Sequence, residues 1–112
     1  MSINVVAKNH SNGLHLQLPE QSFAVQKKDL EEFHVFQTGN NTAAIMLKFK
    51  PNAAKRLTTL TEKNIGRDAL WVWNGRVIAM RKLEEPLGED LTVYNFTSFE
   101  AEDFSNGTGI RE

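Results

Sequence analysis

Apolar and polar residues alternate in several short runs, and one stretch changes to a helical period. Leu14, Leu16 and Leu18 alternate with His15 and Gln17, the period of a strand with one buried face. A shorter β-branched run, residues 3–7, precedes it. Turn chemistry from Asn9 to Gly13 separates the two, with Asn12-Gly13 as its strongest signal, and Pro19 closes the second run. Asp29-Leu30-Glu31-Glu32 predicts a single helical turn capped by Asp29. Residues 33–37 and 42–49 predict a hairpin around Gly39-Asn40-Asn41, residues that tolerate positive φ. Ile45, Leu47 and Phe49 would line one of its faces, Met46 and Lys48 the other.

Pro51 opens the one clear helix, since proline suits a first helical position whose N–H would be unpaired anyway. Ala54, Leu57, Thr61 and Ile65 recur at helical spacing with Leu60 beside them, and Gly66 supplies the left-handed stop. Residues 69–73 and 76–80 then flank Asn74-Gly75, a two-residue hairpin with a type I′ turn. Counting outward from the turn pairs Trp73 with Arg76, Val72 with Val77 and Trp71 with Ile78. One face then holds Trp71, Trp73, Arg76, Ile78 and Met80, and the other Leu70, Val72, Val77 and Ala79. Residues 84–90 read as a solvated connection and residues 91–96 as a last strand. Thr97 and Glu100 have capping-box spacing, with Phe96 and Ala101 at the staple positions, so a short helix is expected over residues 97–104. The tail from Ser105 is polar and glycine-rich and is expected to fray.

Composition narrows the classes. In 112 residues, 40% are hydrophobic and 24% charged, which describes a globular chain with a modest core. With no cysteine, disulfides and thiolate metal sites are excluded. His10, His15 and His34 match no ligand spacing, so no metal or other cofactor is expected. The acidic pairs Glu31-Glu32, Glu84-Glu85 and Glu89-Asp90 sit in charged stretches and read as solvated surface rather than acid–base machinery. No serine lies in a nucleophile elbow and no glycine-rich phosphate loop is present. These readings point away from an enzyme. The net charge of −1 argues against a dedicated nucleic-acid binder. Basic residues do concentrate mid-chain, at Lys48, Lys50, Lys55, Arg56, Lys63, Arg67, Arg76, Arg81 and Lys82. A central basic face for nucleic acid or another anion is therefore the alternative reading. The opening residues Met1-Ser2-Ile3-Asn4-Val5-Val6 lack the basic and long apolar stretches of a secretory leader. The chain is expected either to stay inside the cell or to be a trimmed mature form.

From Thr61 onward the pieces form a familiar series. They are Asn64-Ile65-Gly66-Arg67, the strand at residues 69–73, Asn74-Gly75, Val77-Ile78, Glu85-Pro86-Leu87, Asn95-Phe96-Thr97 and Glu100-Ala101. This series resembles the head subdomain of the large periplasmic domain of SecD, the membrane subunit that assists protein export. The match covers roughly residues 52–101 and extends more weakly back to the hairpin near Phe33. The chain departs from the family pattern at Asn74, where the family has aspartate, at Arg81, where it has proline, and at Tyr94, where it has glycine. The glycine-rich loop is shortened to Gly88-Glu89-Asp90, and an aliphatic pair is replaced by Trp71 and Trp73.

The resemblance implies an α+β fold, an antiparallel sheet with one long and one short helix on one face, related to the ferredoxin-like folds. It implies one domain: a strand-rich extension over residues 1–32, a family-like core over 33–104 and a tail over 105–112. SecD heads belong to a transporter and engage emerging substrate protein, so the implied function is a small protein- or peptide-binding module of the bacterial cell envelope. A periplasmic setting follows, with membrane tethering where a lipid anchor precedes the chain. The candidate partner-contact face is Leu70, Val72, Val77 and Ala79, and the alternative is Trp71, Trp73, Arg76 and Ile78. Two tryptophans on one strand face make a large stiff apolar surface, read first as core beneath the helices and second as a binding groove.

Overall fold

The computed structural model describes residues 13–106. The expected strand at residues 3–7 and most of the turn after it lie outside the described residues. Seven strands and two helices follow: β1 Leu14–Gln17, β2 Ser22–Val25, β3 Leu30–Gln37, β4 Thr42–Phe49, α1 Pro51–Glu62, β5 Asp68–Trp73, β6 Arg76–Lys82, β7 Asp90–Thr97 and α2 Ser98–Asn106. All pairings are antiparallel, in two sheets ordered β2-β1-β5-β6 and β3-β4-β7. The domain is α+β with one long and one short helix, as the sequence predicts, and its strands divide between two sheets.

The inner faces of the two sheets make the core. On the first sheet, one row runs Val25, Leu14, Trp73 and the next runs Phe23, Leu16, Trp71. On the second, Ile45, Leu47 and Phe49 are fully buried beside Val93 and Phe96. The sheets meet through edge-on aromatic contacts, Phe23 to Phe49 at 6.0 Å and Trp73 to Phe96 at 5.9 Å. Phe104 of α2 closes one side, its ring 5.0 Å from Phe33 and 5.9 Å from Trp73. The tryptophans therefore lie in the core, because an inward strand face is the one place where such surface leaves water at both ends.

β1 pairs with β2 on one side and β5 on the other, so residues 14–25 share a sheet with the tryptophan hairpin. β2 carries too little pattern for sequence reading: four residues, of which only Phe23 and Val25 point inward.

Three expectations are corrected. Asp29 does not cap a turn over Asp29–Glu32. It closes a 3₁₀ turn at Lys27–Asp29, and β3 starts at Leu30. The Asp29 carboxylate accepts the Gln26 backbone N–H at 3.2 Å and an Arg56 N–H at 3.1 Å. Its carbonyl accepts the Lys50 N–H at 2.8 Å, which draws the chain into register with β4 instead of into a helix. Ile65 is not on the buried helix face: α1 ends at Glu62 and Ile65 is 44% exposed. The buried stripe is Ala53, Leu57 and Thr61, and Asn64 turns back to bond the Leu60 carbonyl at 2.9 Å. The third correction concerns the faces of the tryptophan hairpin, described below.

Gly66 has φ +87°, as its role as a helix stop requires, and a Cβ there would meet nothing within 4 Å. Gly66→Ala is therefore expected to destabilise through backbone strain alone, by about 1 kcal/mol. Urea unfolding checks this through a lowered midpoint and an unchanged slope.

Candidate functional site

The β5–β6 hairpin turns at Asn74 and Gly75, with φ of 48° and 88°, the signature of the expected type I′ turn. The Asn74 side chain also accepts the Gly13 N–H, which fixes the start of β1 beside the turn. Trp73 pairs with Arg76 and Val72 with Val77, as counted from the sequence. Trp71 then pairs with Ala79, not Ile78, because the ladder shifts by one residue. A β-bulge sets Ile78 and Ala79 together against one residue of β5. Both point inward: Ile78 is 5% exposed and Ala79 packs against the core.

Past the bulge the faces exchange. Met80 pairs with Leu70 and belongs to the outer face, where it is 67% exposed. Ala79, placed by the sequence count on the face of Leu70, Val72 and Val77, belongs with Trp71. The outer face of the first sheet thus has two rows, Ala24-His15-Val72-Val77 and Ser22-Gln17-Leu70-Met80. Their apolar end is Leu70, Val72, Val77 and Met80. Val72 is buried among its neighbours, Leu70 is half-buried and Val77 is 52% exposed. The alternative face splits instead: Trp71, Trp73 and Ile78 are buried, and only Arg76 reaches solvent.

Arg76 is engaged. Its Nε donates to Glu100 Oε2 at 2.9 Å and its Nη2 to Glu100 Oε1, a two-pronged pair linking β6 to α2. The same carboxylate accepts the Thr97 N–H at 2.9 Å, and the Thr97 hydroxyl accepts the Glu100 N–H at 3.1 Å, the reciprocal capping box expected from the sequence. Partial burial pushes the Glu100 carboxyl up, but Arg76 and the Thr97 amide outweigh it and hold the group below the usual carboxylate range. The Glu100 hydrogen bond raises the Arg76 guanidinium, against the opposing effect of burial.

Sequence reasoning missed the gap between the sheets. β6 and β7 lie at the facing edges, and a cleft of about 320 Å³ opens between them over Leu16 and Trp71, with Arg81 and Lys82 on one wall and Asp90 and Tyr94 on the other. No local pattern announces it, because both strands read as ordinary members of one sheet.

The mid-chain basic residues are distributed over several elements, with Lys55, Arg56 and Lys63 together around one shallow pocket beside α1. Lys48 lies on β4, Lys55 and Arg56 on α1, and Arg81 and Lys82 on β6. Arg56 is held by Asp29 and lies 5.4 Å over the Phe23 ring, and Arg76 is held by Glu100. His15 is buried in β1 and His34 is exposed on β3 of the other sheet, while His10 lies outside the described residues.

Solved structures decide the likeness. A chain of SecDF, described as a membrane component that enhances protein export, superposes with a TM-score of 0.55 at 23% identity. The fold is SecD-like. A second SecDF structure, in a form called super-membrane-facing, gives a TM-score of 0.53, also at 23% identity. Each match covers 78% of this chain but only 40% and 12% of the SecDF chains, so the domain spans less than half of the SecDF chains it matches. No family model and no curated protein matches the sequence. No helix among the described residues is long and apolar enough to cross a membrane.

Proposed function

We propose that this domain is a non-enzymatic module of the bacterial cell envelope that binds protein or extended peptide. Its contact surface is the outer face of the β5–β6 hairpin: Leu70, Val72, Val77 and Met80. The observation that carries the reading is the exposure of Val77 and Met80 beside Leu70 on the outer face of the hairpin. Apolar surface gathered at one place on a strand pair is what an extended, partly apolar polypeptide recognises. The SecD-like fold supports a partner drawn from exported protein and a periplasmic setting.

The test is binding of a fluorescently labelled, extended apolar peptide, followed by anisotropy. Val77→Asp with Met80→Asp adds charge at two solvated positions and leaves the core intact. Affinity is expected to fall by roughly tenfold or more, with the melting temperature kept. Unchanged affinity in the folded variant would remove this face from the proposal, and absence of binding by the wild type would remove the binding function.

A further inference from the structure

β3 is an open edge. Among the described residues its only strand partner is β4. The direction of its free backbone groups follows from two hydrogen bonds. Thr38 N–H donates to the Thr42 carbonyl at 3.0 Å, continuing the register in which Gln37 faces Ala43. Hydrogen-bonded pairs alternate along an antiparallel ladder, so Phe36, His34 and Glu32 bond to β4. On the far side of β4, Phe49 N–H donates to the Glu89 carbonyl at 2.8 Å, so odd residues of β4 serve β7 and even residues serve β3. Both hydrogen bonds fix the same orientation: the N–H and C=O groups of Phe33 and Val35 point to the open edge.

The outer face at this edge carries charge in alternation. One row crosses the sheet as Asp90, Lys48, Glu32, from β7 to β4 to β3. His34 stands two residues along β3 on the same face, its Nε2 3.6 Å from Glu32 Oε1, too far for a hydrogen bond. An imidazole always carries at least one N–H donor and a carboxylate only acceptors. The strand therefore presents an acceptor and a donor spaced as a self-complementary pair.

We infer that β3 pairs with β3 of a second copy of this chain, antiparallel and two-fold symmetric about Phe33. In that register, Phe33 exchanges backbone hydrogen bonds with its own copy through the free groups identified above. Glu32 of each copy then faces His34 of the other. These two occupy the non-hydrogen-bonded position, where side chains approach closest. The row becomes Asp90, Lys48, Glu32, His34, with an acceptor facing a donor across the junction. Centring the pair on His34 would set the two imidazoles against each other. Centring it on Val35 would set His34 against Phe36 and Glu32 against Thr38. Only the Phe33 register matches donor to acceptor on both sides of the axis, and the same patch serves both copies, as a closed dimer requires. This surface is separate from the proposed peptide face on β5–β6.

Sedimentation velocity of the full chain over a concentration series tests the inference. The wild type is expected to form dimers at high micromolar concentration. His34→Glu sets carboxylates against each other, and Glu32→Lys sets a cation against His34. Each is expected to weaken the dimer by roughly tenfold or more. The double variant Glu32→Lys/His34→Glu sets opposite charges across the junction and is expected to recover the dimer. Val35→Pro removes a free-edge N–H without touching the β4 ladder, and is expected to give a folded monomer by circular dichroism. A monomeric wild type, dimers unaffected by either single charge change, or no recovery in the double variant would overturn the assignment. The peptide-binding test above reads a different strand pair, so either proposal can fail alone.

Discussion

Trp73→Ala is expected to lower folding stability by about 4 kcal/mol. The indole is 2% exposed and sits between Phe96 and Phe104, both at 5.9 Å. It joins three elements, since Phe96 comes from β7 and Phe104 from α2. Its removal leaves a cavity whose walls belong to different strands and a helix, so no single side chain can move in to fill it. Domains of this size have roughly 5–15 kcal/mol in hand, so the variant is expected to unfold at a markedly lower urea concentration. Val77→Ala, on the outer face of the same hairpin, is the control and should change stability by no more than about 0.5 kcal/mol. Similar midpoints for the two variants would show that the indole does not hold the sheets together.

Glu100→Ala is expected to cost about 1.5 kcal/mol. Loss of the capping box accounts for roughly 1 kcal/mol. The pair with Arg76 adds roughly 0.5 kcal/mol, discounted because the Arg76 side chain is 50% exposed. The pH dependence has a definite sign. The Glu100 carboxyl is held below the usual carboxylate range in the folded chain. Its contribution is complete above that range and is lost as pH falls through the folded-state value. The gap between wild type and variant, measured by urea unfolding at several pH values, should therefore close in acid. A gap that is constant with pH would show that the carboxylate charge contributes nothing.

Much of this architecture is readable from local signals with local causes. Pro51, Gly66, the Asn74-Gly75 turn and the Thr97/Glu100 box each act within a few residues, and each is found where the sequence puts it. What escaped depends on distant partners. Leu30 joins a strand because Phe49 waits across the ladder and Lys50 bonds the Asp29 carbonyl, and neither can be seen from residues 29–32. Ile65 fits the helical period but follows the last helical residue, and Asn64, which terminates the turn, reads as an ordinary polar position. The candidate face was legible in three of its four residues. Leu70, Val72 and Val77 follow from counting, whereas Ala79 and Met80 traded places at a bulge that leaves no mark on composition.

The extra residue at Ile78 has an evolutionary consequence. Because side chains on a strand alternate, a one-residue deletion there would turn Met80 from the outer face toward the cleft between the sheets and move Arg81, now exposed at that cleft, to the outer face, inverting the rest of β6 in a single event. Substitution would need a separate change at every position to do the same. Length variation at this point of the hairpin is thus a direct route by which related domains can exchange the residues carried by the two sides of the strand.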